Sequence, residues 1–290
     1  MSTLRFEVET ISPMFLRGAD GDTPELRPPS FKGMLRYWWR AAKVLPVPEL
    51  HALESQVFGG ASGNEGQRST VTIRLRHDAF TTGQHKPVPH RGFRLEAFDP
   101  GQRLEIILQR MPHCPVPLSE IRNAMFVALQ LGGVGFRSRR GFGSMRIRAI
   151  NGEAYRPPED PLKPVADALH AINDNFAYEN NRGDEEIHYR GSTQPRYPWI
   201  RRVMRGFYFF DRPGQLLRGI SQSTHDNDSN YTGSPNRPRF ASPEYVSLQA
   251  DRRDCWGVVT SLHVPPQTDQ KLGHRDTRDR FREDVLWVGE

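Results

Sequence analysis

The segment Leu131 to Arg148, LGGVGFRSRRGFGSMRIR, carries five glycines, five arginines and no acidic residue, and its flanks dictate how the chain passes through it. Upstream, LSEIRNAMFVALQLG spaces Ile121, Met125, Ala128, Leu129 and Leu131 as one buried helical stripe, with Gly132 or Gly133 as the stop. Downstream, SMRIRAI alternates as a strand does. The segment therefore joins a helix to a strand. Nucleotide cradles of the Walker and Rossmann kinds run the other way, from strand into helix, so that the anion rests on the helix N-terminus. No GxxxxGKS or GxxxxGKT run exists, and Gly133 and Gly135 lack a third glycine at the required place, so mononucleotide and dinucleotide sites are excluded.

What remains is an anion loop of another kind. Gly133, Gly135, Gly141 and Gly143 are expected to permit close backbone approach to a phosphate, and Arg137, Arg139 and Arg140 to grip its oxygens with planar charge. Such contacts position a nucleic-acid backbone without reading its bases.

The preceding chain supplies the frame for this loop. Leu4 to Phe15 alternates and reads as a first strand ending near Pro13. After a polar loop, Ser30 is the expected N-cap of FKGMLRYWWRAAK, whose Phe31, Leu35, Trp38 and Ala42 recur at helical spacing until Pro46. Beside that stripe stand Lys32, Arg36, Arg40 and Lys43, four cations on one adjoining face, with nothing acidic between Arg27 and Pro48. Two strands follow, STVTIRLRHD from Ser69 and LEIILQR from Leu104, before the second helix and SMRIRAI. The order is β-α-β-β-α-β, an α+β, ferredoxin-like (RRM-like) arrangement, and residues 1–150 hold one complete copy.

Charge sorts the same way. Residues 1–150 carry 21 Lys+Arg against 13 Asp+Glu, net +8, while 151–290 carry 19 against 21, net −2. Of 40 basic residues 35 are arginine, which favours bidentate phosphate contacts. Cys114 and Cys255 are too few and too far apart for a disulfide framework or a metal site. The histidines show neither HxxxH nor HExxH spacing, and Asp226 and Asp228 in HDND, like GDEE at Gly183 to Glu186, read as exposed loops, so no metal or other cofactor is expected. No apolar run reaches the length of a membrane span, which points to a cytoplasmic protein without a membrane partner.

The stretches ISPMFLRGADGDTPELRPPSFKGMLRYWWRA, VFGG and GGVGFRSRRGFGS together resemble the RAMP superfamily of CRISPR proteins, and within it the head-end subunits of type III-B (Cmr) RNA-guided effector complexes. In the second half only RFASP, Arg239 to Pro243, is similar, as a degenerate counterpart of the glycine-rich loop. The resemblance implies tandem ferredoxin-like domains, the second being divergent and spanning 151–290 beyond the Pro-rich segment EAYRPPEDPLKP. That second half offers a helix from about Val165 to Phe176, strands in GFYFF and CWGVVTSLHV, and loops in ENNRGDEE and STHDNDSNYTGSPNRP. The resemblance also implies a non-catalytic ribonucleoprotein subunit that binds guide RNA and target RNA beside other RAMP subunits in antiviral defence.

Some members of the superfamily cut RNA instead, through a histidine near the first helix or the glycine-rich loop. Neither segment holds a histidine here; His51 lies just beyond the helix, and Tyr37 is the other candidate for a metal-independent endoribonuclease. A protein-interaction scaffold with an incidental basic face is a third reading. Of the paired tryptophans, Trp38 belongs to the apolar stripe and Trp39 is the freer for stacking.

Overall fold

The computed structural model describes residues 2–62, 65–89, 91–206, 212–227, 232, 241–251, 254–263 and 276–286. In β1 (Ser2–Thr10) the side chains alternate, with Leu4, Phe6 and Val8 buried. The first helix, α1 (Pro28–Lys43), begins two residues before the expected cap. Arg27 holds the extended N-cap conformation and prolines fill the first two helical positions, where a missing N–H removes no hydrogen bond. Ser30 thus lies inside the helix. Val44, left-handed at φ 48°, closes it before Pro46.

A second helix, α2 (Val47–Phe58), follows at once, and the sequence reading did not include it. The hairpin of β2 (Gly60–Ser62) and β3 (Glu65–Gln67) precedes β4 (Val71–His77); that of β5 (Thr82–His85) and β6 (Leu95–Phe98) precedes β7 (Arg103–Arg110). Then come α3 (Leu118–Leu131), β8 (Met145–Ile150) and the short β9 (Glu153–Ala154). The sheet runs β4-β7-β1-β8-β9 with every neighbouring pair antiparallel. Stripped of α2 and the two hairpins, this is the expected βαββαβ unit.

The second half repeats the plan with one substitution. It comprises α4 (Lys163–Ile172), β10 (Phe176–Asn181), β11 (Asp184–Tyr189), β12 (Trp199–Arg205), α5 (Pro213–Asp226), β13 (Glu244–Ala250), β14 (Cys255–His263) and α6 (Arg278–Leu286). The sheet order β10-β11-β12-β14-β13 places β12, β14 and β13 as β1, β7 and β4 stand in the first sheet. The place beside β12, which β8 fills beside β1, belongs to β11.

ENNRGDEE is accordingly a hairpin, where a loop was expected. Its Glu185 side chain is buried, ion-paired to Arg205 at 2.8 Å and accepting from the Tyr178 hydroxyl and the Leu162 N–H at 3.0 Å each. Burial pushes the Glu185 carboxyl above its usual range, although Arg205 pulls the other way. Ser223 to Asp226 likewise belong to α5, while GFYFF beyond Gly206, Asp228, and Arg239 and Phe240 of RFASP lie outside the described residues.

The two sheets share a core. Trp38, Trp39, Leu35 and Phe31 of α1 and Ile121, Met125, Leu129 and Leu131 of α3 form one buried cluster with Trp199, Ile200, Val203, Tyr245 and Trp256 of the second half. Because α3 meets the first sheet on one side and α4 and β13 on the other, all residues from Ala124 to Leu131 are buried, and its amphipathic stripe widens there to the full circumference of the helix. The Pro-rich segment is also engaged, since Leu162 is buried within it.

Candidate nucleic-acid interface

The glycine-rich loop leaves α3 at Gly132, where a Cβ would stand 2.4 Å from Trp38 Nε1. It then folds against the start of the chain: Phe136 N–H donates to the Phe15 carbonyl at 2.9 Å and Gly143 N–H to the Pro13 carbonyl at 3.0 Å. At Gly143, with φ 66°, a Cβ would fall 2.0 Å from the Val134 carbonyl oxygen. At Gly133 and Gly135 it would meet the carbonyls of Phe142 and Phe15, and at Gly141 the side chains of Leu248 and Leu217. These glycines answer to internal packing, where a backbone open to phosphate was expected.

The loop is also docked on the second sheet. Val246 N–H donates to the Arg139 carbonyl at 3.1 Å, and Gly141 N–H donates to the Val246 carbonyl at 2.8 Å, so the loop pairs with the free edge of β13. Ser144 Oγ donates to the Gly141 carbonyl and accepts from Leu248 N–H. Beside it, Ser247 Oγ donates at 3.0 Å to the Gln130 carbonyl, one of the groups left unpaired at the end of α3.

Arg140 is 8% exposed, which corrects its expected role as a phosphate ligand. Its guanidinium donates to the carbonyls of Arg139, Glu244 and Thr232 and covers the Phe281 ring at 5.0 Å. Burial first, then Arg137 and Arg139, pull its pKa down to about 9, which leaves it charged at neutral pH. Arg139 is held more openly. It lies between the rings of Tyr37 and Tyr245, 5.6 and 5.5 Å away, and donates to the Ser242 carbonyl and the Tyr37 hydroxyl. Burial pushes the Tyr245 hydroxyl up to about 12.

The basic face of α1 acquires its counterions from other elements. Glu54 of α2, its side chain 7% exposed, pairs with both Arg36 and Arg40, and Glu120 of α3 pairs with Lys43 at 3.1 Å. An all-basic stretch of sequence is thus a mixed surface in space. Lys32 keeps its neighbour Arg36 and, among the described residues, no carboxylate partner; partial burial and Arg36 lower its pKa. Trp39 is fully buried and donates from Nε1 to Glu120 at 2.8 Å, so the freer tryptophan expected at that position is absent.

The helix and the loop do meet. Ser30, Met34, Tyr37 and Trp38 of α1, Gly133 to Gly135, Ser138 and Arg139 of the loop, and Tyr245 of β13 line one cleft of about 290 Å³. Arg137, which does not line the cleft, takes a left-handed φ of 59°, and its Nε is buried without a hydrogen-bond partner. Burial and the nearby Arg91, from the connection between β5 and β6, lower the Arg137 pKa. The contributions of Tyr245, Glu54 and Arg91 had no local signal; the Ser242 carbonyl of RFASP, expected as a counterpart of the loop, instead receives Arg139. His51 is exposed on α2, and the Tyr37 hydroxyl accepts from Arg139. Among the described residues no cluster of His, Cys, Asp or Glu is arranged to hold a metal ion, and no helix is long and apolar enough to cross a membrane.

Residues 7–146 match the sequence model of the RAMP superfamily. The CRISPR system Cmr subunit Cmr1-1 of Pyrococcus furiosus is 29% identical over 165 residues, a match spanning 51% of this chain and 48% of that protein. Subunit Cmr1-2 of the same organism is 26% identical over 183 residues, 50% of this chain and 95% of that one. The chain thus aligns with about half the length of the first relative. The crystal structure of Cmr1 from Pyrococcus furiosus in its apo form superposes with a TM-score of 0.63 at 19% identity, covering 100% of both chains. A chain of the cryo-EM structure of the type III-B Cmr-beta complex bound to cognate target RNA superposes at 0.56 with 11% identity, covering 90% and 94%. At these identities the superpositions establish a shared fold.

Proposed function

We propose that this chain is a member of the RAMP superfamily, whose sequence model matches residues 7–146, and that it is a non-catalytic RNA-binding subunit of a type III-B CRISPR effector complex. Its partners on this reading are guide RNA, target RNA and neighbouring RAMP subunits, and its task is to hold the RNA backbone at the head end of the assembly. The observation that carries the reading is the shared cleft: α1 and the glycine-rich loop, far apart in sequence, line one concave surface with Arg139 in its wall. Lys32, Arg36, Arg40, Arg137 and Arg139 form the RNA track. Lys43 and Arg140 are its supports, since Glu120 holds the first and three carbonyls the second.

A binding role suits these groups better than a cutting role. The Tyr37 hydroxyl is already committed to Arg139, and His51 stands on the exposed side of α2. Phosphate contacts from arginine and lysine fix register and leave sequence choice to base pairing by the guide.

Fluorescence anisotropy of the full chain with labelled single-stranded RNA, titrated across salt, tests the reading. Each phosphate contact releases counterions and adds about 0.7 to the slope of log K against log salt. Arg137→Ala is expected to lower that slope by about this amount; an unchanged slope, or no RNA binding at any salt concentration, overturns the proposal.

A further inference from the structure

We propose that the tip of the glycine-rich loop seats one unpaired nucleotide of single-stranded RNA, its base stacked on Phe136 and its adjoining phosphate held by Arg137 and Arg91. The inference rests on the RNA-binding role proposed above and deepens it, adding a base-dependent contact to a backbone clamp. Phe136 is 57% exposed, the most exposed large apolar side chain among the described residues. Phe15 and Phe142 belong to the core cluster beside it, and the ring itself is open to a partner.

The ring is nonetheless held in place. Its backbone is hydrogen-bonded to Phe15, and the Phe15 ring meets it edge to face, 6.5 Å between centroids at 82°. Phe15 is 2% exposed, so the platform stands on the core. A ring fixed in this way offers stacking area with little entropy left to lose.

The next residue carries the charge. Arg137 occupies left-handed backbone space that arginine rarely adopts, and such strain persists where surrounding structure enforces it. Its buried Nε has no hydrogen-bond partner, and neither it nor Arg91 forms an ion pair among the described residues. The chain around Arg91, from Gly83 to Arg94, contains Lys86, Arg91 and Arg94 and no acidic residue. Arg91 is close enough to lower the Arg137 pKa, and an anion held near both relieves that repulsion. A phosphate alone would leave Phe136 unused, and an apolar protein segment would leave the two arginines unpaired. A nucleotide of a single strand satisfies both.

The test compares wild type, Phe136→Ala, Phe136→Leu and Phe136→Trp as full chains by fluorescence anisotropy. The probes are a labelled single-stranded RNA and the same strand with abasic riboses throughout. Phe136→Ala should weaken binding to intact RNA roughly 5- to 150-fold, the range for losing one stacked base, with its salt slope unchanged. Phe136→Leu should resemble Phe136→Ala, Phe136→Trp should retain wild-type affinity, and none of the three changes at position 136 should affect binding of the abasic strand. Equal losses on both strands, or no loss on either, overturn the inference while leaving the clamp intact, provided the wild type binds RNA with its normal slope. A wild type that binds no RNA removes the clamp and this seat together. Thermal melting of each variant confirms folding, since an exposed ring is removed.

Discussion

The two ferredoxin-like units place three strands identically and fill the fourth place from opposite directions in the chain. In the first unit β8 arrives after the second helix and pairs with β1; in the second, β11 arrives before the unit's own first strand and pairs with β12. A sheet edge needs a strand with free backbone groups and a matching buried face, and it is indifferent to the connection that delivers it. The hairpin serves because Ile187 faces the core and the Glu185 carboxylate accepts from Tyr178 and Leu162 and pairs with Arg205. The first unit is complete in its strands, yet its glycine-rich loop is finished by the second unit through β13.

The sharpest way to break this comparison is at Gly143. With φ 66° and the Val134 carbonyl 2.0 Å from any Cβ, Gly143→Ala should destabilise the protein by about 4 kcal/mol or more, read from urea unfolding, and speed hydrogen exchange at Val246 and Leu248. A loss under about 0.5 kcal/mol would show that the loop is not the weld between the units. Next in size, Glu185→Ala removes the buried carboxylate shared by Arg205, Tyr178 and Leu162 and should cost about 3 kcal/mol, with exchange rising in β10 and β11 and unchanged in β4 and β7. Uniform exchange across both sheets would mean that the β10–β11 hairpin is no separate addition to the second unit.

The smallest effect concerns the first unit alone. Glu54→Gln keeps the side-chain shape and removes the charge that Arg36 and Arg40 share, so RNA should bind a few-fold more tightly with a steeper salt slope, the gain of one freed contact being about 0.7. An unchanged slope would remove α1 from the RNA track.

The first unit's elements were legible because each one repeats a local period over many residues, as in STVTIRLRHD or the stripe of Phe31, Leu35 and Trp38. The second unit's hairpin was not: ENNRGDEE has the composition of a loop, and its strand character comes from β12 and from the burial of a single glutamate. In the candidate site the residue types were readable and their orientations were not. Arg137, Arg139 and Arg140 lie within four positions, yet one has its Nε buried without a hydrogen-bond partner, one stands between two tyrosines and one is enclosed by carbonyls.

By itself the sequence determined the first βαββαβ unit, the helix-to-strand course of the glycine-rich loop and the concentration of positive charge in the N-terminal half. Tertiary structure alone decided that the loop's glycines face the protein, that Arg140 is internal, that Glu54 and Glu120 temper the basic helix and that β11 completes the second sheet. Periodicity states which face of an element is buried. It does not state what that face is buried against, and here each deciding partner lies on another element of the fold.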